Sequence, residues 1–417
     1  MKILWFEVTE PSAYISGGNP IGGWQDSLER IVRTIPNIEL YIAFVSGKHS
    51  EEKILNGVTY VPIFTRWSFW ERRFRKYWDV YVEKMLPEAK NIVKKYEPDV
   101  IHVFGTEWPF GQIAAHTDIP VIIHIMGAIV PYNNANYPPG YSYRDILYSN
   151  WWNPRKLLGQ YLAERNKRNW EQWERKTWNL VCNYMGRTHW DESLSRLMHP
   201  GRRYFHVEEA LRINFLSGKH RWQLPLNDKL RLISTGCGSY WKGPDMMLKV
   251  AKILTNHGVD FEWRVVGNMP VDIIKTVEQH EGVHFNDCHV QILGFKKPEE
   301  LIQILCTSTM YVHTAYVENS PNSICEAQCL GVPVISTNVG GIPSLVRQYV
   351  DGILVAANDP WQMADAILEL YKDKERMLRY SENSIAFALV RHNDEHIKKQ
   401  LLDCYSKLLT KDIEKNI

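Results

Sequence analysis

The stretch Met310-Tyr-Val-His-Thr-Ala-Tyr-Val-Glu-Asn-Ser-Pro-Asn-Ser-Ile-Cys-Glu-Ala-Gln-Cys-Leu-Gly-Val-Pro-Val-Ile-Ser-Thr-Asn-Val-Gly-Gly341 decides how the rest of the chain is read. An apolar strand ends at Thr314. A polar loop, Glu318 to Asn322, leads into a helix over 323–330 that Asn322 or Ser323 would cap. Seven residues separate Glu318 from Glu326, which places Glu318 on the loop and Glu326 one turn inside the helix. The amides of Ser320, Asn322 and Ser323 are left for an anionic ligand, whereas Pro321 has no N–H to offer. One carboxylate is then placed for sugar hydroxyls and the other for a ribose diol, with a phosphate between. The plainer alternative is a capped helix with two solvated glutamates.

Working outward, a β/α series surrounds this stretch. Residues 229–236, 261–267, 290–295, 310–314, 333–339 and 352–356 read as strands, with helical segments at 244–257, 297–306, 323–330 and 359–370. A polar stretch, 217–228, separates this series from an earlier one. There the strands are 1–8, 38–45, 58–63, 99–105, 119–126 and 180–186. Several are apolar on successive residues, as in Ile38-Glu-Leu-Tyr-Ile-Ala-Phe-Val45, which suits a parallel sheet covered on both faces. Pro98 stops the helical pattern before it, and Asp99 opens the next strand. Two such series predict an α/β protein of two doubly wound, Rossmann-like domains, with the ligand site at strand carboxyl ends in the cleft between them. The expected boundaries are 1–216, 217–381, and a helical segment 382–417 that packs back on the first domain.

Composition agrees with this class. The chain has 417 residues, 45% hydrophobic and 23% charged, with a net charge of +2. That excludes a disordered or fibrous chain and removes the electrostatic case for a nucleic-acid binder. Seven Cys without a C-x-x-C pair or zinc spacing read as reduced, buried thiols of a cytoplasmic protein. The apolar run at the N-terminus is broken by Glu7 and is too short for a signal-peptide core. No stretch has the uncharged apolar length of a transmembrane helix.

A second candidate segment is Ser16-Gly-Gly-Asn-Pro-Ile-Gly-Gly23, directly before a helix that starts near Trp24. Gly22 and Gly23 let backbone approach an anion at a helix N-terminus. The spacing is not G-x-G-x-x-G, so a dinucleotide fingerprint is not supported. A purely structural turn is the alternative.

These features together resemble the family 4 retaining glycosyltransferases of GT-B fold. The match is Glu318, seven residues, Glu326-Ala327, then Gly331-x-Pro333-Val334 and Gly340-Gly341. Gly22-Gly23, Pro98-Asp-Val-Ile-His102, Lys242-Gly243, Val265-Val-Gly267 and Leu293-Gly-Phe295 stand in the corresponding order. Gly186-Arg-Thr-x-Trp-Asp191 and Glu209-Ala-Leu-Arg212 resemble the branch that builds bacterial capsular, exo- and lipopolysaccharides.

The resemblance implies transfer of a sugar from a nucleotide-sugar donor to a sugar or lipid-linked sugar acceptor, with retained configuration. The second domain would bind donor and the first acceptor. Glu326 would hold the ribose. Glu318 with Asn319, Ser320, Asn322 and Ser323 would hold sugar and phosphate, and Lys242 would stabilise the leaving diphosphate. No cofactor is expected, because the nucleotide-sugar is a substrate. No Asp-x-Asp occurs, which fits a metal-independent site.

Two positions depart from the family pattern. Cys237 stands where the family has an arginine that clamps the pyrophosphate, and a thiol supplies no cationic fork. Arg187 and Arg212 are the candidate replacements. Met126 stands where the family often has a catalytic histidine. His124 lies two residues earlier and would face the same side of the strand; a packed core histidine is the alternative. The rival readings of the whole chain are a catalytically inactive GT-B scaffold and a sugar-phosphate transferase or nucleotide-sugar epimerase.

Residues 64–78 and 148–178 interleave Trp, Phe and Tyr with Arg and Lys. That mixture suits peripheral contact with an anionic membrane, on the inner face of the cytoplasmic membrane for a cytoplasmic enzyme. An amphipathic helix packed on its own domain would use the same residues.

Overall fold

The computed structural model describes residues 1–17, 23–225 and 229–410. The chain divides into two compact units. Unit 1 comprises Met1–Val130, Tyr161–Arg212 and Arg391–Ile417; unit 2 comprises Pro131–Gln160 and Ile213–Val390.

Unit 1 is built on strands β1 (Lys2–Glu7), β2 (Glu39–Ser46), β3 (Lys53–Leu55), β4 (Val58–Phe64), β5 (Val100–Phe104), β6 (Val121–His124), β7 (Asn183–Gly186) and β8 (Arg203–His206). They lie in the order β3-β4-β2-β1-β5-β6-β7-β8. All pair in parallel except β3, which runs antiparallel to β4. Every residue of β5 and β6 is buried, as a strand covered on both faces requires. One face packs Leu28, Ile31 and Val32 of the helix Trp24–Val32 against Ile3 and Trp5. The other packs Met85, Ala89 and Ile92 of the helix Tyr77–Tyr96 against Leu4, Ile101 and Val103.

Unit 2 carries β9 (Leu230–Thr235), β10 (Phe261–Val266), β11 (Val290–Gly294), β12 (Met310–His313), β13 (Val334–Thr337) and β14 (Gly352–Val355). Their order is β11-β10-β9-β12-β13-β14, all parallel. Each of the twelve strands expected from apolar runs is present, within a few residues at its ends. The two short strands β3 and β8 were not expected; neither has a buried residue, so neither lies in the continuous apolar run that marks the others.

One segment falls elsewhere than the sequence reading put it. Residues 131–160 were assigned to the first domain but cluster with unit 2. Polar contacts hold them there: Tyr141 OH donates to Glu281 Oε1 at 2.8 Å, Ser149 Oγ pairs with Thr276 Oγ1 at 2.6 Å, and Lys156 Nζ lies 3.0 Å from Asp272 Oδ1. All three partners sit on the helix Val271–Glu281. The C-terminal segment forms two helices, Lys374–Arg391 and Asp394–Leu409. The second belongs to unit 1, where Ile397, Leu401, Cys404, Tyr405 and Leu408 enter the core beside Trp5. Trp5 Nε1 donates to Tyr405 OH at 3.3 Å, and Tyr405 OH meets His102 Nδ1 at 2.7 Å.

Candidate functional site

In unit 2 the chain leaves β9 for β10 on one side and returns to β12 on the other. The crevice at the carboxyl ends of β9 and β12 is therefore the topological switch point, where doubly wound sheets take their ligands. Lys242 follows β9 and Glu318 follows β12. The fold brings them together: Lys242 Nζ forms an ion pair with Glu318 Oε1. The pair is reinforced on both sides. Thr314 Oγ1 donates to Lys242 O at 2.9 Å, Tyr316 N–H donates to Trp241 O at 2.7 Å, and Gly341 N–H donates to Glu318 O at 2.9 Å.

Two glycines allow this approach. Gly243 has φ +70°, and a Cβ there would collide with Thr314 O. Gly340 has φ +53°, and a Cβ there would collide with Glu318 O. Both backbones run too close to a neighbouring carbonyl for any side chain.

The helix Asn322–Leu330 follows the loop. Asn322 and Ser323 were expected to cap it. Instead Pro321 occupies the N-cap position, with no side-chain cap, and Asn322 is the first helical residue. Pro321 carries no donor or acceptor beyond its carbonyl, so the first-turn amides of Asn322 and Ser323 meet no capping oxygen from it. Asn319 and Ser320 are buried on the same loop. Glu318 and Glu326 are 5% and 3% exposed, which removes the reading of two solvated glutamates.

Cys237 is buried, and desolvation pushes its thiol up to about 12; nearby Lys242 works in the opposite direction but is the smaller influence. The position supplies a neutral thiol and no cation.

His313, at the end of β12, did not stand out in the sequence. It is 4% exposed, and its Nε2 lies 3.9 Å from Glu318 Oε1. Its Nδ1 lies 3.3 Å from Tyr311 OH, which in turn lies 3.1 Å from Thr235 Oγ1. Burial, with Lys242 as a lesser cause, pulls the imidazole down to about 3, so it stays neutral. Its only signal was a polar residue closing an apolar strand.

In unit 1 the corresponding switch point lies between β1 and β5. Gly22 lies outside the described residues. Gly23 is the N-cap of the helix Trp24–Val32 and accepts at its carbonyl from Ser27 N–H at 3.1 Å. Glu107 follows β5; desolvation and the nearby Glu174 carboxylate push its carboxyl up to about 7.

The other sequence candidates in this unit are engaged internally. Arg187 is 3% exposed; its Nη1 lies 3.1 Å from Glu209 Oε1, and its guanidinium carbon sits 4.6 Å over the Trp24 ring. Its guanidinium is thus an internal counter-charge of unit 1 rather than an open anion clamp. Arg212 is half-buried at the end of the unit's middle segment. His124 is 1% exposed, 4.9 Å edge-on to Trp24 and 5.4 Å from the His102 ring. Burial, then His102 and Arg187, hold its imidazole well below the usual range. It is packed among aromatics, while Met126 is the partly exposed residue of the pair.

Among the described residues, no group of three or more His, Cys, Asp or Glu side chains is arranged to hold a metal ion.

Residues 217–387 match the family model of glycosyl transferases group 1. The matched stretch lies within unit 2. A D-inositol 3-phosphate glycosyltransferase of Corynebacterium urealyticum is 28% identical over 174 residues, 40% of this chain and 41% of the relative. The amylovoran biosynthesis glycosyltransferase AmsK of Erwinia amylovora is 27% identical over 151 residues, 35% of this chain and 37% of the relative. The chain thus spans about two fifths of the length of the curated relatives it matches.

Solved structures extend the likeness to the whole fold. Sucrose-phosphate synthase from Thermosynechococcus elongatus superposes with a TM-score of 0.72 at 14% identity, covering 98% of this chain and 99% of that one. HepE of Anabaena, solved with UDP-glucose, gives 0.63 at 15% identity, covering 98% and 100%. The fold is GT-B, with two Rossmann-like units. The Glu318–Lys242 site lies inside the part that the group 1 model matches.

Proposed function

We propose that the protein transfers a sugar from a nucleotide-sugar to an acceptor hydroxyl with retention of configuration, in the assembly of a bacterial surface polysaccharide. The observation that carries this reading is the Lys242–Glu318 pair at the unit 2 switch point, beside a helix start without a side-chain cap. A diphosphate fits there for three reasons. Lys242 supplies a cation, the first-turn amides of Asn322 and Ser323 supply donors, and the helix dipole favours negative charge.

In this reading Lys242 and these amides stabilise the leaving diphosphate as its charge grows in the transition state. Glu326 takes the ribose diol, and Glu318 with Asn319 and Ser320 takes the sugar. The diphosphate is neutralised without a divalent cation. Unit 1 takes the acceptor at its own switch point, where Gly23 and the Glu107 carboxyl offer hydrogen bonds to hydroxyls. Front-face attack, with the leaving phosphate accepting the acceptor's proton, requires no further nucleophile from the protein.

The test is a donor screen scored by released nucleoside diphosphate, with calorimetric titration of UDP and GDP. Binding and turnover are expected, and both should persist in excess EDTA. Activity abolished by EDTA and restored by Mn²⁺ or Mg²⁺ would remove the metal-free part of the reading. Absence of binding by any nucleoside diphosphate would favour an inactive scaffold, for which the neutral thiol of Cys237 is the supporting observation.

The same reading places the enzyme peripherally on the cytoplasmic face of the membrane. Among the described residues no helix is long and apolar enough to span a bilayer. The short helix Phe69–Phe74 has no buried residue, and Phe69, Trp70 and Phe74 are 71%, 68% and 62% exposed. Arg66, Arg72 and Lys76 are exposed alongside them, whereas Trp67 packs edge-on against Tyr81 at 4.7 Å. Tyr148, Trp151 and Trp152 of unit 2 are exposed as well.

Anionic headgroups attract such cations by about 1 kcal/mol each near the surface, and the rings add burial that salt does not screen. Sedimentation with phosphatidylglycerol vesicles should therefore weaken but persist at high salt. The Phe69→Ala/Trp70→Ala/Phe74→Ala variant should lose vesicle binding at least tenfold while its melting temperature holds, because the rings make few internal contacts. A wild type that ignores anionic vesicles at low salt would exclude membrane docking.

A further inference from the structure

The donor site holds a polar atom that the roles above leave unused. Nε2 of His313 is buried without a hydrogen-bond partner and stands 3.9 Å from Glu318 Oε1. On its other side the ring is tied into a chain. Thr235 Oγ1 lies 3.1 Å from Tyr311 OH, and Tyr311 OH lies 3.3 Å from His313 Nδ1. An interaction from the Ser323 side chain also reaches the Tyr311 hydroxyl.

Donor inventory limits how such a chain can run. A neutral imidazole carries one N–H and one bare nitrogen. If Tyr311 donates its hydroxyl proton to Nδ1, the ring proton sits on Nε2. Thr235 and Ser323 can then both donate to the Tyr311 oxygen. Every group in the chain is satisfied, and the one remaining N–H points toward Glu318.

Glu318 has a conditional need for that donor. It is 5% exposed, and its counter-charge in this structure is Lys242. A nucleoside diphosphate carries at least two negative charges and competes for the same ammonium. When Lys242 turns to the phosphates, the Glu318 carboxylate would be left buried and short of partners, which is a costly state.

We propose that His313 is a positioning residue of the donor site, which hands its Nε2–H to the Glu318 carboxylate when the donor diphosphate draws Lys242 away. The exchange moves no proton; it replaces an ion pair by a hydrogen bond and keeps Glu318 in place for the sugar. A shift of about one ångström closes the 3.9 Å separation to hydrogen-bond length. The imidazole, held down to about 3, remains neutral through the working pH range, so the donor is present throughout. Lys242 and Glu318 are the charged groups that bear on the ring, and Tyr311 is the titratable group on its other side. The proposal rests on the nucleotide-sugar reading of this site.

The experiment uses the full chain with UDP and GDP as probes and then UDP- and GDP-sugars as donors. In the wild type, imidazole nitrogen and proton NMR should show His313 as the Nε2–H form. Adding the bound nucleotide should move that proton downfield as it engages Glu318. His313→Leu should lower kcat/KM for the donor at least tenfold, since a hydrogen bond to a buried carboxylate is lost. His313→Gln, which can present an amide N–H at similar reach, should recover most of the loss. The melting temperature of both variants is read alongside, and the NMR arm does not depend on either variant folding.

Equal activity of His313→Leu, His313→Gln and wild type would overturn the proposal. So would an Nδ1–H tautomer, or a ring signal indifferent to nucleotide in a wild type that binds it. If the wild type binds no nucleoside diphosphate at all, the donor-site reading fails first and the proposal falls with it. That result is distinguishable because it appears in the wild-type titration, before any variant is compared.

Discussion

Lys242→Ala should lower kcat/KM by about 10²–10³-fold, the usual cost of deleting one group aimed at charge that develops in the transition state. Two effects combine. The diphosphate loses its cation, and Glu318 loses the partner that neutralises it in the resting site. Binding measurements separate them: affinity for UDP should fall, while affinity for uridine, which has no phosphate, should change little. The Lys242→Ala/Glu318→Gln double variant should recover folding stability without recovering rate, because it removes the uncompensated carboxylate but restores no cation. Steady-state kinetics and thermal melts on the three proteins decide it. A Lys242→Ala enzyme with wild-type kcat/KM would show that the diphosphate is neutralised elsewhere.

Gly340→Ala should destabilise unit 2 by more than about 3 kcal/mol and abolish donor binding. The glycine sits at φ +53°, and a methyl group there would collide with the carbonyl oxygen of Glu318. Neither neighbour can yield easily. Gly341 N–H already holds that carbonyl at 2.9 Å, and the loop around it is buried. Gly258→Ala is the control. It has φ +66° but nothing within 4 Å of the added methyl. It should cost only the backbone term, about 1 kcal/mol. Similar melting temperatures for the two variants would show that the close approach to Glu318 is not what demands glycine.

The contrast between these positions shows how much of the site could be read in the chain. Gly340-Gly341, Glu318 and Glu326 stand out in sequence through the family resemblance, whereas their spacing alone fits a capped helix with two solvated glutamates. The twelve strands that lie in apolar runs were legible too, since strands buried on both faces leave continuous apolar runs. Helix capping was misread at Pro321. Asn and Ser side chains are good caps in isolation, and only the backbone path shows that the helix starts one residue past the proline.

Arg187 shows the opposite failure. A cation after a strand end looks available until its partner is known, and Glu209, twenty-two residues later, occupies it. His124 gave no more warning, because a histidine at the end of an apolar strand reads alike whether it meets substrate or, as here, Trp24 and His102.

The sequence by itself determined the two β/α series, the parallel sheets, and the loop that carries Glu318 to Glu326. Each follows from local periodicity or from residues near one another in the chain. The tertiary structure alone decided which partners those residues meet. Lys242 and Glu318 are 76 residues apart and touch only because β9 and β12 are neighbours at the switch point. Tyr311 and His313 share a strand, but their link to Thr235 and Glu318 needs the same adjacency. The assignment of 131–160 to unit 2 and of Asp394–Leu409 to unit 1 likewise rests on side chains that meet from distant parts of the chain. Periodicity records which face of an element is apolar, whereas the identity of the surface that covers it depends on how the strands are ordered.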